Sequence, residues 1–543
     1  MAQMKDKSRE ETIQQDIRDL HKLGYAQQLF REMGGFSNFA ISFSIISILT
    51  GAIILFGYGL KFAGPIINTV GWPLVSVFTF AVAASMAELA SMYPTAGGLY
   101  YWAYRLGGKT WAWATAWFNM LGQITITAGI NMAAAIYITG LFTLLFNIPG
   151  DATVPLLGAV NGWNFWLFVM IIIMIPQVLI NVMGIKLTAL LNDFSVYWHI
   201  GGVLVMALLL TIFGKYHNSL AFMFSTVQTV APADVANTFF IGPLEVNSIM
   251  LRIIPGLQGL YGAGIFAFAF VLALLQAQWT YTGYDASAHM AEETYLARMN
   301  SAWGVFLSVA VSAVVGYISL LALTNSIPPD KIADTASAAY PVLFIAQNAL
   351  QPFFANVIAV IIGVAMWLCG LASITSMARM WFAFARDKGM PGSSYLSRVS
   401  HRWRTPANAI VVTSVIAWLI TAYSAAFSVI VSMSTTALYL AYAFPVYLNW
   451  RNKRRGQGEF STKEAAPWNL GRWGPAINVI CFLWVAFITV LFSIPPNELA
   501  GWTMIGLAVL LVIYWQVSEK RRFAGPIKMS DDELGRIEKE FGV

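Results

Sequence analysis

Three ionisable side chains lie inside long apolar stretches of this 543-residue chain, and the chemistry open to them is the handling of protons. They are Glu88, His199 and Asp285. A charge in hydrocarbon is costly, so such a group is kept where it is paired, lines a wet path or carries a proton. Histidine titrates near about pH 6.5, so a modest change of surroundings loads or unloads His199 at physiological pH. The other reading of His199 is a neutral histidine hydrogen-bonded to a facing helix. Glu88 sits toward one end of its apolar run, where it either partners a helix end or transfers a proton. Asp285 closes a polar run and has the position of a gate or of a helix N-terminal residue.

Two runs of small and hydroxylated residues interrupt the apolar pattern at mid-depth. One is Ser44-Ile-Ile-Ser47-Ile48-Leu-Thr50-Gly51-Ala52, and the other is Gln276-Ala-Gln278-Trp279-Thr280-Tyr281-Thr282-Gly283-Tyr284-Asp285. Glycine weakens a helix by roughly 1 kcal/mol relative to alanine. Neighbouring hydroxyls satisfy freed backbone groups, so a helix break is tolerated where it lines a cavity. The same residues also let helices pack closely, and spacing alone leaves both readings open. Paired interruptions in corresponding segments of two repeats mark a transporter's midplane site, if the first ten helices form such repeats. Gln123 and Asn131, on a third apolar run, reach that site only if their helix is suitably rotated.

The elements that hold these residues are membrane spans. Hydrophobic residues make up 58% of the chain and charged ones 11%, against roughly 25% charged in soluble domains. The apolar blocks have spanning length. Twelve are expected: 36–60, 72–93, 111–146, 163–180, 190–213, 264–286, 302–323, 354–384, 407–423, 427–447, 476–492 and 501–516. The third and eighth exceed what a bilayer needs and should tilt or project. Of the 32 lysines and arginines, only Lys61, Lys215, Arg252 and Lys331 fall on the outer side when both termini are inside. That partition is the positive-inside pattern, and an odd number of spans destroys it. The net charge of +6 therefore reads as orientation rather than nucleic-acid binding.

The resulting organisation is a cytoplasmic arm (1–35), five spans (36–213), an outer loop (214–263), five more spans (264–450), an inner loop (451–475), two last spans (476–516) and a cytoplasmic tail (517–543). Cys369 and Cys481 both lie in apolar runs, which suggests neither disulfides nor a metal cluster. No Gly-x-x-x-x-Gly-Lys-Ser/Thr run marks a nucleotide-driven pump, and the five histidines lack catalytic or metal spacing. A secondary transporter without cofactor, metal or catalytic residues is the leading class, and a membrane enzyme the remote one.

Three further motifs carry a resemblance. Met86-Ala-Glu88-Leu89-Ala-Ser91-Met-Tyr93-Pro94-Thr95-Ala-Gly97-Gly98-Leu-Tyr100-Tyr-Trp102 resembles the signature after the second helix of amino-acid/polyamine/organocation permeases. Ala383-Phe-Ala-Arg386-Asp387-Lys-Gly389-Met-Pro391 resembles the one after the eighth. Gly283-Tyr284-Asp285-Ala-Ser-Ala-His289-Met-Ala-Glu292-Glu293-Thr294 is similar to the sixth-helix motif of the amino acid/choline transporter branch. The likeness runs in order from about Gly24 to Trp515.

That resemblance implies an all-α, leucine-transporter-like fold: a five-plus-five inverted repeat with helices one and six broken, extended by helices eleven and twelve. It implies that amides around Ser47, Ile48, Thr50, Gly51 and Ala52 hold a substrate carboxylate, since positive half-helix ends favour anions. Carbonyls near Trp279 to Thr282 would take the ammonium, Trp279 and Tyr281 would add a cation–π wall, and Gly283 and, from the third span, Gln123 would join the site. Relatives carry a lysine on the fifth helix fifteen residues after a Gly-Val-Arg glycine; here Gly184-Ile185-Lys186 leads to His199 instead. Ser373, Thr375 and Ser376 occupy the stretch where relatives draw sodium ligands, and face His199 or hold sodium. Glu292, Glu293, Arg379 and Arg386 form inner-gate or interface ion pairs. The expected protein is a proton-coupled importer of an amino acid or related amine. The alternatives are GABA, choline, ethanolamine or polyamine transport, exchange, or sodium coupling. Its setting is a bacterial plasma membrane, as a monomer or loose homodimer.

Overall fold

The computed structural model describes residues 9–149, 151–241, 244–423, 427–456 and 465–542. The start of the expected cytoplasmic arm and residues 457–464 of the expected inner loop lie outside them. Ten helices among the described residues are long and apolar enough to cross a membrane, and a pair bent by 101°, Pro255–Gly262 and Phe266–Thr280, makes an eleventh. Ala407–Thr421 stands where a ninth span was expected, but its 15 residues reach only about 22 Å at 1.5 Å each. By length alone, then, ten or eleven crossings are visible rather than twelve.

Two helices stop in mid-course. The first runs Gly35–Ile46, turns at Ser47, whose φ is 32°, and resumes as Gly51–Ile54 and then Phe56–Ala63. The sixth stops at Thr280 and resumes as Ala286–His289, with Gly283 at φ 82° between them. Both breaks fall in the runs singled out above. A positive-φ residue sits in each break, Ser47 as the C-cap of the first helix and Gly283 three residues past the end of the sixth, and of the two only the glycine adopts it without strain. The sixth helix is therefore shorter than its expected span of 264–286, beginning at Phe266 and breaking at Thr280.

Around these breaks, Lys109–Phe146 forms the central post, packed along Phe427–Arg454 and Pro352–Arg386. The approach is close: a Cβ on Gly122 would lie 2.6 Å from Leu438. The protein is not purely helical. Thr153–Val154 pairs with Gly158–Ala159, and Thr238–Ile241 with Leu244–Asn247. Both hairpins lie in connections between spans, where water can satisfy the strand edges that lipid cannot.

The two ends of the chain meet on one face. Helix Arg9–Leu23 leads to Gly24, whose carbonyl accepts from Met529 N at 3.2 Å, and His21 lies 2.6 Å from Glu538 on helix Asp531–Phe541. The last span continues to Arg522 rather than Gln516, through a wide turn at Trp515–Glu519.

Candidate functional site

The two breaks face one another across a small closed cavity lined by Ile45, Ile46, Thr50, Gly51, Ile126, Ile130, Trp279, Thr280 and Thr282. Every side chain there is at least 95% buried. Its free space is about 10 Å³, roughly what one water needs. Gly51 is what lets the two helices meet: a Cβ there would lie 2.8 Å from Thr280 Cα. Thr282 donates to Trp279 O at 2.5 Å and so caps the end of the sixth helix. Trp279 Nε1 donates to Ser434 at 3.1 Å, which fixes the indole as one wall.

Of the residues expected to bind substrate, Thr50, Gly51, Trp279 and Thr282 line this cavity, and the others point elsewhere. Tyr281 turns outward, its hydroxyl 2.7 Å from Ser76 and its ring 4.7 Å from Trp72, so it forms no aromatic wall. Ile48 packs with Phe43 and Val196. Ala52 faces the sixth helix, its carbonyl accepting from Gln276 at 3.4 Å. Gly283 donates its N–H to Tyr442 at 3.2 Å. Asn131 bonds back to Thr127 O at 3.0 Å.

Ser47 is held by His199 rather than aimed into the cavity. His199 Nε2 lies 2.8 Å from Ser47 Oγ, which in turn is 2.6 Å from Thr50 Oγ1. The other ring nitrogen donates to Ser195 O at 2.8 Å, since a carbonyl can only accept. Neutral imidazole thus satisfies both ends, with Ser47 as donor to Nε2. The hydroxyls of the eighth span do not reach His199: Ser373 pairs with Thr127 at 2.5 Å, and Thr375 donates to Asn181 at 2.6 Å. Ser376 Oγ is buried without a hydrogen-bond partner among the described residues. Cys369 instead donates from that helix to Ile45 O, a carbonyl next to the break, at 3.4 Å.

The densest polar cluster surrounds Asp285, and sequence reasoning named only part of it. Asn119, Gln123 and His289 contact its Oδ2 at 3.0, 2.8 and 3.1 Å, and Tyr442 donates to Oδ1 at 2.8 Å. All five side chains are buried. Gln123 therefore serves the carboxylate and does not line the cavity. His289 was missed as a site residue although its spacing was visible: positions i and i+4 bring Asp285 and His289 together across the short helix.

On the face that carries the termini, two bidentate ion pairs close the protein beneath this cluster. Arg379 holds Glu293 at 2.9 and 3.1 Å with both side chains fully buried, and Arg386 holds Glu292 at 2.8 Å twice. The N-terminal arm braces the same segment: Arg31 donates to Ala291 O and Thr294 O, and Gln27 to Glu292 O. Glu88 is a clamp, bonded to Lys453 at 2.5 Å, Asn449 at 3.0 Å and Leu470 N at 3.3 Å. It has no contact with the cavity.

Asp387 joins both chain ends, accepting from Tyr25 at 2.7 Å and from Ile527 N at 3.1 Å. Burial pushes its carboxyl up to about 7. The docked state thus holds a proton that an undocked carboxyl gives up, so this stabilisation is complete below about pH 4 and is lost as pH rises through 7. Asp387→Asn should accordingly slow hydrogen exchange across residues 524–529 relative to wild type at pH 8, with no difference at acid pH. Equal exchange at pH 8 would show that the tail is not held through this group.

Comparison with known proteins bears on the whole length. The sequence profile of the amino acid permease family matches residues 33–515. The chain is 33% identical over 537 residues to amino-acid permease BAT1 of Arabidopsis thaliana, covering 94% of this chain and 95% of that one. It is likewise 33% identical over 540 residues to the BAT1 homologue of Oryza sativa subsp. japonica, with the same coverage. A Macrophomina phaseolina protein whose name proposes amino acid/polyamine transport is 27% identical over 473 residues, 84% of this chain and 93% of that one.

Proposed function

The chain belongs to the amino acid permease family, and from that premise we propose that it imports a zwitterionic amino acid together with protons by alternating access. As a member it is a multi-pass membrane transporter of amino acids or amines, and not an enzyme. The observation that carries the finer reading is the meeting of two broken helices around a buried cavity that no charged side chain lines. The break leaves the amides of Ile48 and Leu49 without a backbone acceptor among the described residues, which suits a carboxylate. On the sixth helix Trp279 O and Tyr281 O are already bonded, and the carbonyls of Thr280 and Thr282, without a donor among the described residues, are left to accept from an ammonium. Four isoleucines and Trp279 offer the rest of the ligand an apolar wall. A second ammonium, as in a polyamine, would find no counter-charge there, and an unpaired buried charge is costly.

The proposal includes twelve crossings in a five-plus-five inverted repeat: the ten long helices, the bent pair and Ala407–Thr421. Termini on one face need an even count, which supports including the short helix beside the bent pair. The terminus-bearing face is proposed as cytoplasmic from the lysine and arginine pattern.

A thermal-shift panel tests the substrate class on the purified protein, using L-alanine, L-valine, GABA, choline and putrescine. A ligand at a hundred times its dissociation constant stabilises by about 2.7 kcal/mol. The amino acids should raise the melting temperature, and amidated analogues should fail because buried donors are left unpaired. A shift with putrescine or choline and none with the amino acids would overturn the zwitterion assignment.

A further inference from the structure

We propose that Asp285 and His289 together form the proton-binding site of the transport cycle, an assignment that rests on the proton-coupled reading above. The hydrogen positions follow from the partners. His289 Nδ1 lies 2.9 Å from Ala96 O, and a carbonyl accepts only, so Nδ1 carries a hydrogen. Nε2 lies 3.1 Å from Asp285 Oδ2, and two unprotonated atoms there would repel. One proton therefore sits between them, either on imidazolium facing carboxylate or on carboxylic acid facing neutral imidazole. In both forms the pair is neutral. Loss of that one proton to water leaves a net negative charge; no other bond changes.

The surroundings contain nothing to offset such a charge. The third span presents the amides of Asn119 and Gln123, and the tenth presents the phenols of Tyr442 and Tyr439. The first span contributes the hydroxyl of Ser42, bonded to Ser287. On the segment that follows, Glu292 with Arg386 and Glu293 with Arg379 are already closed pairs, and Arg31 is turned to Gln27, Ala291 O and Thr294 O rather than to Asp285. In the closed protein the site must keep its proton, because a lone charge in low dielectric is strongly disfavoured. Only a conformation that admits water can release it.

The pair also touches what must move. Tyr442 links Asp285 to the N–H of Gly283 in the break of the sixth helix. Ala96 links His289 to the lower ion pair, its carbonyl accepting from His289 and its N–H donating to Glu292 at 3.0 Å. The charge state of the pair is thus coupled to the break through Tyr442 and to the closing pair through the single residue Ala96. The other two intramembrane candidates lack this capacity. His199 is satisfied by one proton and among the described residues contacts Ser47, Ser195 and the Phe43 ring, none of them a carboxylate to balance a second. Glu88 is neutralised by Lys453. His199 becomes the anchor of the first break, and Asp285 with His289 becomes the carrier.

The experiment uses the full chain in proteoliposomes with a radiolabelled amino acid hydrolysate as the transported probe. An acid-outside gradient should drive accumulation by wild type without sodium. Asp285→Asn and His289→Gln should lose accumulation by at least tenfold while retaining exchange of preloaded probe, and the pH profile of exchange should become flat. His199→Gln should slow transport but keep the wild-type pH profile. Infrared difference spectra on changing pH should show a carboxyl band, of the acid or of a shifted carboxylate, that Asp285→Asn abolishes. If either carrier variant is not folded, Tyr442→Phe decides: removal of one donor to the carboxylate should move the exchange profile toward higher pH. Accumulation with a wild-type pH profile in Asp285→Asn or His289→Gln, or an unmoved profile in Tyr442→Phe, would overturn the assignment. Wild-type uptake driven only by sodium would instead overturn the proton-coupled reading itself.

Discussion

Arg379→Ala should unfold the protein readily, lowering its stability by about 3–5 kcal/mol, because it leaves Glu293 charged, buried and alone. Both side chains are wholly enclosed, so water cannot compensate the survivor. Glu293→Ala should cost a similar amount for the mirror reason. The pair itself is less valuable than either loss suggests: replacing both partners with apolar residues of similar size is often neutral or stabilising. The double variant Arg379→Met/Glu293→Leu should therefore recover most of the melting temperature. It should not recover transport, since apolar contacts on this face no longer release when water enters. Denaturation of the detergent-solubilised variants, followed by intrinsic fluorescence, separates the two effects. A single variant that loses under about 1 kcal/mol would show that this face is already hydrated.

Gly51→Ala should nearly abolish transport, by at least tenfold, although a single methyl is added. The new Cβ would meet Thr280 at 2.5 Å from Oγ1 and 2.8 Å from Cα. A hydroxyl can rotate away, but a backbone atom yields only if the sixth helix moves. A larger side chain, as in Gly51→Leu, should lose the folded protein because of the same close helix contact. Gly201→Ala is the control, because a Cβ there meets nothing within 4 Å. It should be neutral or stabilise by up to about 1 kcal/mol through helix propensity. Equal activity in Gly51→Ala and Gly201→Ala would mean that the first and sixth helices are not in contact during the cycle.

The positions of the two breaks were legible in the sequence, because glycine, hydroxyls and left-handed turns leave a local mark. Ion pairing of Glu292, Glu293, Arg379 and Arg386 was legible too, since charges beside spans must find partners. Side-chain direction was not. In a soluble helix the polar face marks solvent, but a span packed inside a bundle is apolar all round and carries no such stripe. Hence Tyr281 read as an aromatic wall, whereas its hydroxyl is drawn to Ser76 on the second span. Gln123 read as a ligand, but its amide donates to Asp285. Ser373 and Thr375 read as partners of His199, yet their helix turns them toward the third and fourth spans. Helix lengths display ten or eleven of the twelve expected crossings, because Ala407–Thr421 is shorter than a bilayer is thick.

Glu292 and Glu293 are neighbours on one tight turn, yet their partners Arg386 and Arg379 stand two helical turns apart, about 10 Å along the eighth span. One rigid turn thus grips a stiff rod at two points. Tilting the turn enough to free one guanidinium strains the second, so the two grips let go in a single event rather than in sequence. The kinetic signature is a steep temperature coefficient for turnover. Cooling should stall the carrier well before it loosens the fold.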